Sequence, residues 1–256
     1  SELKKGDVTL IDVDQFQNGN SEILKLSQSK NILFNELNEN TLPFKHEDQE
    51  TPDFKREPLL PHRFTMLGPG LTTGDVNNDG LLDAFIGNAS GGSGSKLFIQ
   101  QKDGSFKLNN SQPWKDIPAD VTGSLLFDMD NDNDLDLYVA AGGSEFSWPS
   151  PKYTHRLYEN KGQGNFVDKT TSLPKVVASS SSVTAGDYDG DGDLDLFVAG
   201  RLLPNFYPFV EIRSYLLRND NGKFTDVTES VVPDLVMPGM ISEAIFTDYN
   251  NDHKLD

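Results

Sequence analysis

The chain has 256 residues and a formal net charge of −18, with 40 Asp and Glu against 22 Lys and Arg. That acidity argues against nucleic acid and anionic membrane surfaces as partners, and the lack of cysteine removes disulfide frameworks, thiolate metal sites and cysteine nucleophiles. No apolar run approaches the length of a membrane span, so membrane insertion is not expected, while the length suits one large domain with a core of its own.

Residues 1–60 differ in texture from the rest. Ser1 to Lys5 lacks the apolar core of a signal peptide, so any export signal is expected outside this chain. Asp7–Val13 alternates as a strand does, and Ser21–Leu26 reads as a second strand. Residues 31–61 are polar and rich in Asn, Glu and Pro, which reads as an irregular linker that either closes a sheet or ends a preceding domain. His46 and His62 lie here without ligand spacing and read as ordinary hydrogen-bonding or surface histidines.

From residue 61 to 256 the chain repeats. A small-residue strand, such as Gly70–Gly74, Gly123–Phe127, Ser182–Gly186 or Ala244–Thr247, enters an acidic loop. A β-branched or aromatic strand leaves the first three loops: Ala84–Gly87, Leu137–Ala140 and Leu196–Ala199. A hairpin then follows, with Lys96–Gln100, Arg156–Asn160 and Tyr215–Asn219 turning through Gly and Asn residues that supply positive φ. Trp114 precedes a strand and reads as core.

The loops carry the chemistry. Asp187, Asp189, Asp191, Asp193 and Asp195 alternate along nine residues, with Gly192 at loop position 6. Asp75, Asn77, Asp79, Leu81 and Asp83 repeat the pattern, as do Asp128, Asp130, Asp132, Asp134 and Asp136. Asp248, Asn250, Asp252 and Asp256 form a fourth copy. Their first aspartates, at 75, 128, 187 and 248, recur at intervals of 53, 59 and 61 residues. A single loop of this kind is an ordinary solvated turn, but four in one register point to a shared ligand. Side chains at positions 1, 3, 5 and 9, with the carbonyl at position 7, can converge on one hard cation. An all-oxygen donor set favours Ca²⁺. Position 12 is Ile86, Val139 or Val198, which excludes an EF-hand. The loops hold 16 of the 40 acidic residues, so the acidity belongs largely to them. Asn133 and His253 replace the position-6 glycine in the second and fourth loops. The fourth is therefore expected to bind metal most weakly, with His253 a turn residue and not a ligand.

Four short strands in about 60 residues cannot bury both faces of their sheet alone, so neighbouring units must stack. The expected fold is all-β, a β-propeller of four-stranded blades with three complete repeats and a partial fourth. The loop pattern, the small-residue turn after each exit strand (such as Val198-Ala199-Gly200) and the hairpin ending in Gly-x-Phe resemble the FG-GAP or VCBS repeat family. That family includes the integrin α-subunit propellers. The likeness looks nearest to bacterial exported proteins with such repeats, including ASPIC/UnbV types. The resemblance implies a calcium-stabilised propeller of six to eight blades, of which this chain would be a fragment.

Function is expected at the opposite end of the sheets, in two long aromatic connections. Trp148, Tyr153, His155 and Arg156 lie in one, and Arg201, Phe206 and Tyr207 in the other. These residues suit a glycan or a protein surface, or pack against their own loops. The leading expectation is an extracellular or bacterial-envelope binding and adhesion module. The alternatives are a polysaccharide lyase or hydrolase using Tyr153, His155 and Arg156, and a structural spacer.

Overall fold

A computed structural model describes residues 41–48, 51–114, 117–208 and 212–256, all within one compact unit, Glu39–Asp256. The strands expected at Asp7–Val13 and Ser21–Leu26 lie outside the described residues.

Among the described residues, twelve strands form three sheets of four. The first sheet contains β1 (Leu71–Gly74), β2 (Asp83–Ile86), β3 (Lys96–Gln100) and β4 (Phe106–Asn109). The second contains β5 (Asp120–Phe127), β6 (Asp136–Gly142), β7 (Arg156–Asn160) and β8 (Phe166–Asp168). The third contains β9 (Ser179–Gly186), β10 (Asp195–Leu202), β11 (Tyr215–Asp220) and β12 (Lys223–Asp226). Each sheet is an antiparallel meander in chain order. The hairpin turns take left-handed backbone where the sequence places Gly or Asn, as at Gly104, Gly164, Asn221 and Gly222. Short four-stranded meanders stacked face to face are the blades of a β-propeller.

Period-two alternation explains the stacking. On β6, Leu137 and Val139 face the first sheet and join Phe85, Leu97, Trp114, Tyr158 and Phe166 in one core. Tyr138 and Ala140 face the third sheet and pack with Leu157, Leu196, Val198 and Leu217. The second strand of each sheet is thus buried on both sides, which is why it reads as a continuous apolar run. Strand β10 repeats the pattern, with Phe197 and Ala199 turned toward Ile241, Ala244 and Phe246.

The first strands of neighbouring sheets are in contact, β1 against β5 and β5 against β9. Their approach requires small residues. A Cβ at Gly142, where β6 ends, would lie 2.1 Å from Thr122 Oγ1 and 2.6 Å from the Ser180 carbonyl oxygen.

Residues 244–247, expected as a fourth entering strand, pair only through two backbone hydrogen bonds between Thr247 and Asp256. A strand needs a partner along its length, and the described residues supply one only at Asp256.

Residues 51–67 are tied into the sheets. A one-turn helix, α1 (Asp53–Arg56), presents Asp53 to the backbone amides of Phe64 and Thr65 and to the hydroxyls of Thr65 and Ser144. Leu60 and Phe64 are buried with Leu202 of β10.

Candidate metal centres

The acidic loops join the first strand of each sheet to the second, and their internal hydrogen bonds repeat. The position-1 aspartate accepts from the amides of positions 5 and 6: Asp79 and Gly80 onto Asp75, Asp132 and Asn133 onto Asp128, and Asp191 and Gly192 onto Asp187. The position-5 carboxylate accepts from the position-7 amide, at 2.9 Å in each loop, from Leu81, Asp134 and Asp193. Aspartate suits these places because one carboxylate spans two amides of a tight turn.

The position-9 aspartates Asp83, Asp136 and Asp195 are fully buried. Each clasps two backbone amides, one from loop position 2 and one from the third strand. The distances are 3.1 and 2.8 Å at Asp83, 2.9 and 2.7 Å at Asp136, and 3.1 and 2.8 Å at Asp195.

Carboxylates of positions 1, 3 and 9 converge. Ligand atoms of Asp128, Asp130 and Asp136 lie within 4.8 Å of one another, as do those of Asp187, Asp189 and Asp195. Asp130 Oδ1 is buried without a hydrogen-bond partner. Burial pushes Asp136 up to about 7 and Asp195 up to about 6, reinforced by neighbouring carboxylates and opposed by the clasped amides. Burial also raises Asp83 and Asp130. Converging, partly desolvated oxygens with one orphaned acceptor fit a hard divalent cation, which would supply the missing positive charge. In the first loop, Asn77 stands at position 3 and donates to Asp79 at 3.1 Å, offering an amide oxygen in place of a carboxylate.

The fourth loop has the same internal frame. Asp248 accepts from the amides of Asp252 and His253, Asp252 from Lys254, and Asp256 from Tyr249. His253 has φ 68°, so it occupies the turn position.

Position 4 has a role that the spacing argument does not capture. Asn78, Asn131 and Asn251 have φ near 60° and Gly190 has φ 78°, a region that Asn and Gly tolerate best. The Asn side chains then cross to the next loop, Asn78 donating to Asp134 at 2.6 Å and Asn131 to Asp193 at 2.7 Å. Two buried asparagines on the third strands add further ties. Asn160 donates to the carbonyls of Val76 and Leu135, and Asn219 to those of Met129 and Leu194. Each therefore stitches its own loop to the preceding one. Asn or Gly at every position 4, and Asn at the end of β7 and of β11, were the available signals.

At the other end of the sheets, the aromatic connections are largely folded inward. The Tyr153 hydroxyl donates to the Phe146 carbonyl at 2.9 Å and accepts from its amide at 3.0 Å, and burial pushes its pKa up. His155 is enclosed, with Nδ1 2.8 Å from the Tyr138 hydroxyl and Nε2 3.1 Å from the Ala178 carbonyl, and burial lowers its pKa to about 4. Trp148 is half-buried on Tyr153, and Arg156 is half-buried on β7. Arg201 bonds Ser242 at 2.7 Å and lies over the Phe64 ring. The Tyr207 amide donates to Glu57 at 3.0 Å, whereas Phe206 is 46% exposed. Tyr153, His155 and Arg156 therefore do not form an open cluster.

A family model described as FG-GAP-like repeat matches residues 75–139 and 141–198. Cartilage acidic protein 1 of Xenopus tropicalis is 27% identical over 138 residues, a match covering 52% of this chain and 20% of that relative. The chain thus aligns with about a fifth of the relative's length. The expected likeness to bacterial exported proteins gains no support from either match.

Proposed function

This chain is built of FG-GAP-like repeats, and from that premise we propose that it is an extracellular module whose blades are braced by Ca²⁺ and whose opposite end binds another macromolecule. The observation that carries the calcium reading is the convergence of the position 1, 3 and 9 carboxylates in successive loops, with a buried, unpartnered oxygen on Asp130. Asp128, Asp130 and Asp136 would hold one ion, and Asp187, Asp189 and Asp195 another. Asp75, Asn77 and Asp83 would hold a third, and Asp248, Asn250 and Asp256 a weaker fourth. Asp79, Asp132, Asp191 and Asp252 would complete the shells from position 5. The carbonyls of Leu81, Asp134 and Asp193 would add position 7. Bound Ca²⁺ neutralises carboxylates that the fold brings together at an energetic cost. Loops of modest affinity suit the millimolar Ca²⁺ outside cells, and a relative named for cartilage agrees with that location.

The binding face we favour is the end away from the loops. Phe54, Leu59, Met66 and Phe206 are exposed there, beside the core formed by Leu60, Phe64 and Leu202. Exposed apolar side chains at this end of a chain of net charge −18 suit a protein surface or an uncharged glycan, and the acidity repels sulfated or carboxylated polysaccharides. A lyase or hydrolase reading finds little support, because the Tyr153 hydroxyl and the His155 ring are spent on internal hydrogen bonds.

The test is thermal unfolding in EDTA and then with added Ca²⁺ or Mg²⁺, followed by panels of extracellular proteins and neutral glycans probed with the wild type and with Phe206→Ala. A Ca²⁺-selective rise in Tm, with binding reduced at least several-fold by Phe206→Ala, supports the reading. No Ca²⁺-dependent shift in metal-free protein sinks the calcium half, and undiminished binding by Phe206→Ala sinks the assigned face.

A further inference from the structure

A polar cavity of about 250 Å³ opens where the first sheet meets the second, and it shares no residue with the acidic loops. Its wall is made by residues 93–96, which lead into β3, by Asn109 and Asn110 at the end of β4, and by Gln112 and Trp114. Small residues leave the space: Ser93, Gly94 and Ser95 form a tight turn in which Gly94 has φ 84°. That turn is pinned by one buried asparagine. The Gly94 amide donates to Asn88 Oδ1 at 2.9 Å, the Asn88 amide to Ser95 Oγ at 3.0 Å, and Asn88 Nδ2 to the Ile117 carbonyl at 3.3 Å. The wall is therefore preformed, as small-ligand sites usually are.

Gln112 spans the two sheets. It is 8% exposed, and its Nε2 donates to the Gly164 carbonyl of the β7–β8 turn at 2.9 Å. A carbonyl can accept only from the nitrogen end, so this bond fixes which way the amide points. Oε1 is the end left over, and it is buried without a hydrogen-bond partner. Asn109 Nδ2 donates to the same Gly164 carbonyl at 3.3 Å, so that carbonyl is satisfied even without Gln112. A buried acceptor beside an open polar cavity seldom stays bare, because its lost hydration is otherwise uncompensated.

We propose that this cavity binds one neutral sugar residue, through a hydroxyl that donates to Gln112 Oε1. The bare acceptor calls for a donor, which rules out an anion at that point. No acidic residue lines the cavity, and Lys96 already donates to the Ser93 carbonyl at 2.8 Å, so a metal ion or an ammonium group finds no counter-charge. A hydroxyl accepts as well as donates. The Asn110 amide, exposed at the rim, and the Ser95 hydroxyl proton supply donors. Trp114, edge-on to Phe85, offers an apolar wall to the C–H face of a sugar ring. The volume lies below the range of drug-sized ligands and suits a single ring. Neither calcium in the loops nor the apolar side chains favoured above for macromolecular binding enter this inference.

The experiment is a saturation-transfer NMR titration with glucose, galactose, mannose and N-acetylglucosamine, comparing the wild type with Gln112→Met and Ser93→Tyr. Gln112→Met keeps the length of the side chain and removes the acceptor, whereas Ser93→Tyr fills the mouth from an exposed position. Circular dichroism first establishes that each variant folds, and Ser93→Tyr decides alone if Gln112→Met does not. The expected result is saturable binding of at least one sugar by the wild type, about tenfold weaker in Gln112→Met and abolished in Ser93→Tyr. Failure of the wild type to bind any of the four overturns the proposal and leaves a trapped water as the partner of Oε1. Undiminished binding by either folded variant places the sugar elsewhere and overturns it too.

Discussion

A buried aspartate held by two amides is stable as a carboxylate only while its charge is matched. Asp136 accepts from the Met129 and Asn160 amides, yet burial and the nearby Asp130 and Asp132 outweigh them and lift it to about 7. Asp195 follows at about 6. The sign follows from linkage. A carboxyl whose folded pKa lies above its unfolded value favours the protonated fold. In metal-free protein this contribution is fully present below about pH 4 and is lost as pH rises through about 7. Ca²⁺ requires the ionised form, so protons compete with it. The Ca²⁺-induced rise in Tm is therefore expected to be largest above pH 7 and to shrink steadily toward pH 5, as differential scanning calorimetry at fixed Ca²⁺ would record. His155 behaves in the opposite sense. Its folded pKa is lowered to about 4, so the stability it contributes is present above its ordinary value near 6.5 and is lost as pH falls toward 4. Tyr138→Phe leaves His155 Nδ1 without its 2.8 Å partner and should cost about 1–3 kcal/mol by urea denaturation.

At the scale of the element, the loops are linked in series. Asn131 of the second loop reaches Asp193 of the third at 2.7 Å, and Asp193 also accepts the Asn221 amide at 2.7 Å. The side chain of Asp193, whose position-7 carbonyl is expected as a metal ligand, is thereby held in part by the neighbouring loop. Asn131→Gly keeps the left-handed backbone but removes the tie. It should weaken the third loop's Ca²⁺ affinity several-fold while costing less than about 1.5 kcal/mol in metal-free stability, because the bond is exposed. Titration calorimetry resolves the affinity change, and an unaltered affinity would show that the tie is only ornamental. Much of this element was legible in advance: the strands flanking the first three loops follow from β-branched runs and turn residues, and the position-9 aspartates from their spacing. The extra length of β5 and β9 was not, since Asp120-Val121-Thr122 and Ser179-Ser180-Ser181 carry no alternation. Those residues pair through register shifts that only the neighbouring strand dictates. The enclosure of Tyr153 and His155 was equally unreadable, because a connection without period gives no sign of which side chains its neighbours will cover.

At the scale of the molecule, two opposing terms decide whether the sheets stay stacked. The cores between sheets hold them together, and Trp114, in contact with Phe85, Tyr158 and Phe166, is the largest side chain in the first of these cores. Trp114→Ala should cost about 3–5 kcal/mol, measured as a lowered urea midpoint. Against the cores stands the repulsion of acidic loops gathered at one end. Adjacent loops touch through bonds of 2.6 and 2.7 Å, so their carboxylates lie well inside the Debye length of about 8 Å at physiological ionic strength. Four bound Ca²⁺ would cut the net charge from −18 to −10, removing charge where it is densest. Monovalent salt should substitute for Ca²⁺ only in part, because it screens exposed carboxylates but cannot enter among the buried position-9 groups. In EDTA, raising NaCl should therefore lift Tm toward, but not to, the value reached with Ca²⁺, and in saturating Ca²⁺ the same salt should have little effect. A salt series that matched Ca²⁺ would reduce the loops to a diffuse acidic surface. A plateau below the Ca²⁺ value would mark them as sites, because screening acts on charge alone and coordination acts on the particular oxygens that the fold has brought together.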